Sequence, residues 1–199
     1  MKTFILPLSI VLTLLLSSCV MTKTYTKEEK KMKIENESFL VVKSSGEKIS
    51  GKSLKFVSKS SAIKIDDQEI KVKEVTAYQN KTAYFIKFGP PDKFTWVKQL
   101  KRGKINLYYY DIISHGSYFN GTKYVTENKT ETHFVFRKGD EELLELSITG
   151  IAERLKDNKD AYDNFTATFG EKDKKFLPKQ LQNHPKVLFR SIDIYNGDL

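Results

Sequence analysis

The sequence predicts an α+β fold: an antiparallel β-rich body over residues 38–148, followed by a helical C-terminal segment, 149–199, packed on it. Three observations lead there. From Phe39 to Arg137, short apolar-polar alternations are broken by Ser-Gly, Asp-Asp, Asn-Lys and Asn-Gly turns, the pattern of half-buried antiparallel strands. Beyond Gly150 the apolar residues recur at helical spacing. Hydrophobic content of 39% with 12% aromatics is that of a globular chain, not a disordered one.

The N-terminus stands apart. Lys2 supplies a positive charge, and Phe4 to Leu16 is an apolar stretch of signal-peptide length, short for a membrane span. It ends in Leu16-Ser17-Ser18-Cys19, which resembles the lipobox of bacterial lipoproteins, where cleavage leaves the cysteine first and lipidated. The resemblance implies a signal peptide at 1–18, acylation of Cys19, and a membrane held through lipid chains with no spanning helix needed. Each buried methylene contributes about 0.8 kcal/mol and one acyl chain holds only marginally, so two or three chains anchor stably. Val20 stands where aspartate retains many enterobacterial lipoproteins in the inner membrane, and the first acidic pair, Glu28-Glu29, comes later than in the surface-export signals of Bacteroidota. By resemblance, the expected place is the cell envelope, on the outer membrane and facing the periplasm. Residues 19–37, rich in Thr, Lys and Glu, read as a flexible tether, because charged linkers extend.

Composition narrows the partners. The formal net charge is +9, spread along the chain. Behind a lipobox, an anionic envelope glycan, lipid or protein is the expected partner, and nucleic acid is not. The single cysteine leaves no intrachain disulfide, so the fold must rely on noncovalent packing.

Strands are expected at Phe39-Leu40-Val41-Val42, Leu54-Lys55-Phe56-Val57 and Ala62-Ile63-Lys64-Ile65, with Asp66-Asp67 as a turn of solvated carboxylates. Glu69 to Tyr78 reads as one strand whose phase slips at Lys73-Glu74, the sign of a bulge. Ala83 to Phe88 follows, stopped by Gly89-Pro90-Pro91, and then Phe94 to Leu100, which carries Trp96. Arg102-Gly103 turns the chain into Ile105 to Ile112. Tyr118-Phe119-Asn120-Gly121-Thr122-Lys123-Tyr124-Val125 predicts a hairpin with Asn120-Gly121 as its two-residue loop, both tolerating positive φ. Thr132 to Arg137 closes the series.

Residues 141–148 fit either a helix with Leu144, Ile148, Ile151 and Leu155 on one face or a strand alternating Leu144, Leu146 and Ile148. Gly150 weakens a long helix, so a strand is expected, then a helix from about Thr149. Asp160 can cap a helix striped by Tyr162, Phe165 and Phe169 and closed by Gly170. Pro178 and Pro185 suit the first turns of two more, the last carrying Leu188, Ile192 and Tyr195. Gly103 to Tyr109, Phe136 to Leu143 and a tail ending Ile194-Tyr195-Asn196 together resemble small uncharacterised envelope lipoproteins of Bacteroidota. That resemblance implies compartment and fold class and no activity. Where many such tails carry Asp-Cys-Pro, this chain has Asp157-Asn158-Lys159-Asp160.

No catalytic or metal signature emerges, and no cofactor is implied. His115, His133 and His184 lack zinc-ligand spacing, although His115 and His133 could face each other across strands. No Gly-x-Ser-x-Gly occurs, and the carboxylate pairs Asp66-Asp67 and Glu141-Glu142 fall in expected turns. The candidate binding surface is aromatic and basic. Tyr108 and Tyr110 share one strand face, opposite Ile105, Leu107 and Tyr109; Lys101, Arg102 and Lys104 adjoin them, with Trp96 on the preceding strand. If the isoleucine-leucine face is buried, both tyrosines should be exposed. The expected role is non-enzymatic binding or structure, and the alternative is an envelope hydrolase with an unrecognised active site.

Overall fold

The computed structural model describes Ser38–Glu171 and His184–Leu199; the expected signal peptide (1–18), Cys19, the tether and a helix start at Pro178 lie outside these residues. The described residues divide into two compact units, one carrying the strands through Leu146 and one carrying the helices from Ser147.

In the first unit, eight strands form an antiparallel sheet in the order β11-β10-β9-β8-β7-β6-β1-β2. They are β1 (Phe39–Lys43), β2 (Lys48–Gly51), β6 (Val75–Asn80), β7 (Ala83–Phe88), β8 (Thr95–Lys101), β9 (Ile105–Phe119), β10 (Tyr124–Lys138) and β11 (Leu144–Glu145). A second sheet holds β3 (Leu54–Val57), β4 (Ala62–Ile65) and β5 (Gln68–Lys71). Ile63, Ile65 and Ile70 of the small sheet pack with Val41, Val75 and Tyr78 of the large one. Tyr78 stacks on Phe85 at 4.7 Å and meets Trp96 edge-on at 4.9 Å, so the aromatics gather on this face.

The other face of the large sheet buries Ala77, Ile86, Val97, Tyr108 and Val135. This face curls. β2 at one edge and β10 near the other line a single cavity of about 200 Å³. In a flat sheet, strands six places apart would lie about 29 Å apart, at about 4.8 Å per step. Only a rolled sheet brings them to one cavity.

Three expectations are corrected. Glu69 to Tyr78 is not one bulged strand: a 3-10 turn at Val72–Glu74 separates β5 from β6, and the two belong to different sheets. The phase slip marks the chain changing sheets. The expected Asp66-Asp67 turn does form, with both residues exposed, and Asp66 also braces it. At φ +47 its carboxylate accepts from the Lys52 and Ser53 backbone N–H groups at 3.0 and 2.9 Å and from Ser53 Oγ at 3.2 Å. These bonds hold its pKa below the usual carboxylate value. The hairpin forms, but its central residues are Gly121-Thr122, because Asn120 N donates to the Lys123 carbonyl at 3.1 Å. Asn120 Oδ1 accepts from Thr122 N and Lys123 N, and only Gly121 takes a positive φ, +91°. His115 pairs with Asn128 and His133 with Tyr110, so the two histidines do not face each other.

The helices of the second unit are α1 (Ile148–Leu155), α2 (Lys159–Phe169) and α3 (Pro185–Asn196). The strand expected over 141–148 is reduced to Leu144–Glu145, and the helix begins at Ile148. Ser147 caps it, Oγ accepting from Gly150 N at 3.0 Å, so Gly150 sits in the first turn, where a glycine costs least. Asn158, not Asp160, caps α2, its Oδ1 accepting from Ala161 N at 3.1 Å. Asp160 lies in the first turn, favourable to the helix dipole. Pro185 opens α3, and Leu188, Ile192 and Tyr195 are buried as their spacing predicts. Asn164 Nδ2 donates to Ser191 Oγ at 2.7 Å, tying α2 to α3.

Candidate functional site

Strand alternation puts one row of side chains on the curled face. The register pairs Leu40 with Gln79, Gln79 with Tyr84, Gln99 with Tyr108, and Asn106 with Arg137. Lys48 stands opposite Val42 on the edge strand, and Arg102 enters from the β8–β9 turn. These ten residues line the cavity of about 200 Å³. Its lining holds three cations (Lys48, Arg102, Arg137), two phenols and three carboxamides and, among the described residues, neither carboxylate nor histidine.

The carboxamides are held in place. Gln99, 6% exposed, donates from Nε2 to Asn106 Oδ1 at 3.0 Å, and Asn106 Nδ2 donates to the Gly103 carbonyl at 3.1 Å. Gln79 Nε2 donates to the Ser38 carbonyl at 3.1 Å. Two polar atoms are left over. The Tyr108 hydroxyl and Arg137 Nε are both buried without a hydrogen-bond partner. Native structures seldom leave such groups, and each implies something that can satisfy it. Burial raises the Tyr108 pKa, with the Arg137 charge pulling it partly back; the two groups are near, yet fall short of hydrogen-bonding geometry. Tyr84 is likewise raised by burial and opposed by Arg137 and Arg102. Both phenols therefore remain protonated donors at neutral pH. Donors and positive charge converge on a small volume, which suits an oxyanion such as a carboxylate or phosphate.

The aromatic-basic patch expected from alternation does not exist as drawn. Tyr108 is fully buried, 0% exposed, because the face opposite Ile105 and Leu107 is itself rolled into a core. Tyr110 is half-buried and stacks on His133 at 5.1 Å. Trp96 lies on the other face, against Tyr78, with the Lys87 ammonium 5.6 Å from its ring. Lys104 is exposed in the turn and Lys101 is half-buried at the β8–β9 register shift. Of the six residues, the fold brings Arg102 and Tyr108 into one site, together with Lys48, Gln79, Tyr84, Gln99, Asn106 and Arg137, which the sequence does not single out. Those residues share no spacing; only the strand register unites them.

A second cluster surrounds His133. Its Nδ1 lies 3.2 Å from Glu145 Oε1, and its Nε2 is 3.9 Å from Glu131 Oε2. Among the described residues no group of three or more His, Cys, Asp or Glu is placed to hold a metal ion, and no helix is long and apolar enough to cross a membrane. Comparison with protein families, curated proteins and solved structures finds no match to this chain.

Proposed function

We propose that this protein is a lipid-anchored component of the cell envelope that binds, without transforming, an anionic group of an envelope glycan, lipid or protein in the cavity of its curled sheet. The lipobox at Leu16-Ser17-Ser18-Cys19 supports the anchor at Cys19 and a place on the outer membrane, facing the periplasm. One observation carries the binding role: three cations and two unpartnered buried polar atoms converge with no carboxylate to neutralise them. Lys48 and Arg102 are exposed and Arg137 is half-buried, so an entering oxyanion meets charge and donors already in place and gains from a site organised before it arrives. Among the described residues the lining offers no carboxylate or histidine to act as a base, which favours binding over hydrolysis.

The test is a melting series at constant ionic strength with chloride, inorganic phosphate or glucuronate. Phosphate or glucuronate should raise the melting temperature in wild type and not in Arg137→Gln, whose side chain retains amide donors but loses the charge. A series in which neither anion differs from chloride defeats the binding role. Mass spectrometry of the mature N-terminus decides the anchor separately: an unmodified Cys19 or an intact Met1 sinks it.

A further inference from the structure

The longest hairpin leaves the sheet. β8 pairs with β9 only as far as Tyr109, and β11 pairs with β10 only at Val135 and Phe136. From Tyr110–His133 to Phe119–Tyr124 the two strands pair only with each other. At about 3.4 Å per residue, this two-stranded ribbon is roughly 30 Å long. Every residue from Asp111 to Tyr124 is exposed. Two-stranded ribbons with both edges open are marginal in water and invite aggregation, so a chain that keeps one gains something from it.

The apolar residues of this arm are not hidden. Ile113 is 58% exposed, Phe119 57%, Tyr118 53% and Tyr124 77%. Phe119 and Tyr124 form a cross-strand pair, ring centroids 5.4 Å apart, on one face of the tip, and Tyr118 with Val125 occupies the other. Asn120 braces the turn through its two side-chain bonds, and farther down His115 Nδ1 lies 2.7 Å from Asn128 Oδ1. Charge is sorted along the arm. Between Asp111 and Glu127 there is no carboxylate, and the only fixed charge is Lys123, in the turn.

We infer that the tip of this arm, Tyr118–Val125, is a lipid-docking element that enters the headgroup region of a phospholipid bilayer. Aromatic side chains with one polar end favour the boundary between headgroup and acyl chain, where an apolar face sinks about 5–10 Å. Lys123 meets anionic headgroups, and the absence of carboxylates near the tip removes the repulsion they would cause. The membrane proposed above supplies the bilayer, and on that point alone this inference rests on that reading. A second copy of the chain is the less suited occupant, because docking tip to tip would set Lys123 against Lys123.

The experiment uses the full chain, expressed with its own leader, purified and reconstituted into vesicles of phosphatidylethanolamine and phosphatidylglycerol. Acylated Cys19 has no free thiol, so Thr122→Cys introduces the one site for an environment-sensitive nitrobenzoxadiazole label, with Ser45→Cys in the exposed β1–β2 turn as the control. Nitroxide on the lipid acyl chains should quench the label at position 122 at least twofold and leave that at position 45 nearly unchanged. Adding Phe119→Ser and Tyr124→Ser should abolish the quenching. Equal quenching at the two positions, or none at 122, overturns the inference. So does a blue shift at 122 that needs protein concentration and no lipid, since a second copy then covers the tip. Intact mass of the same samples reports Cys19 acylation independently; should Cys19 prove bare, Cys19→Ser keeps the label unique and tip quenching with added vesicles still decides the docking.

Discussion

Replacing Tyr108 by phenylalanine removes one oxygen from the centre of the curled face and leaves the ring where it is. The ring is fully buried among Ala77, Ile86, Val97 and Val135, so its packing is unchanged. The hydroxyl has no hydrogen-bond partner among the protein's own groups, Arg137 lying nearest. A buried hydroxyl left in that state costs about 1–3 kcal/mol, and its removal returns that amount. Tyr108→Phe should therefore stabilise the ligand-free protein by about 1–3 kcal/mol. For a chain of this size each kcal/mol moves the melting temperature by about 2–4 °C. The same substitution takes one donor from the proposed anion site and should weaken phosphate or glucuronate binding by roughly tenfold, the equivalent of about 1.4 kcal/mol. Urea unfolding followed by fluorescence of Trp96, with calorimetric titration of the anion, reads both quantities. A loss of 1 kcal/mol or more would refute the reasoning, because it would mean that the hydroxyl is bonded after all, with Arg137 the nearest candidate. Stabilisation with unchanged anion binding would place the ligand elsewhere.

Other outcomes follow from individual residues. Asp66→Ala should destabilise the β3–β5 sheet at neutral pH, since it removes the acceptor for three donors and puts a residue poorly suited to φ +47 in the turn. In wild type the depressed pKa of Asp66 means that this support is present above the unfolded-state pKa and is lost as pH falls through the folded value. An acid titration of stability should thus be shallower in the variant, and parallel curves would remove Asp66 from the account. Tyr78 has its pKa pushed up to about 12 by burial, so the stability tied to its neutral form is full below pH 10 and declines as pH rises toward 12. Tyr78→Phe should flatten that alkaline limb; an unchanged limb would assign it to other groups. Gly121→Val places a β-branched residue at φ +91 with open space around it, a cost of about 1–3 kcal/mol that is backbone strain alone. Because the arm pairs only with itself, faster exchange of the Asn120 amide, which donates to the Lys123 carbonyl, is expected in place of a lower global melting temperature.

Much of the architecture is legible in the residues because strand and helix periods are local. Pro185 at the start of α3, the Leu188-Ile192-Tyr195 stripe and the runs at Ala62 to Ile65 and Ala83 to Phe88 need no partner to be read. β2 is silent, since Lys48-Ile49-Ser50-Gly51 offers a single apolar residue and forms by pairing with β1. The outer halves of β9 and β10 are nearly as quiet. His115, Gly116, Ser117 and Glu127-Asn128-Lys129-Thr130 carry little strand pattern, and their register is imposed from the paired residues at each end. Tyr108 shows the limit most clearly. Alternation decides that it points away from Leu107, but not whether that side is wet, and here both faces of the strand are buried. Arg137 and Lys48 are far apart in the chain and meet through a roll of the sheet that no local pattern encodes.

That roll makes the cavity a late product of folding. Its wall needs β2 near the start of the body and β10 near its end, with β6 to β9 in register between them, so no part of the meander can assemble it alone. Closing so long a stretch of chain is entropically slow, and a partly folded chain would not present the proposed anion site at all. Once complete, an occupant touching Lys48 and Arg137 together would act as a noncovalent crosslink across the rolled sheet. At a ligand concentration a hundredfold above Kd, such a clamp adds about 2.7 kcal/mol to the folded state alone. In a chain with one cysteine, that is support of the size a disulfide gives elsewhere.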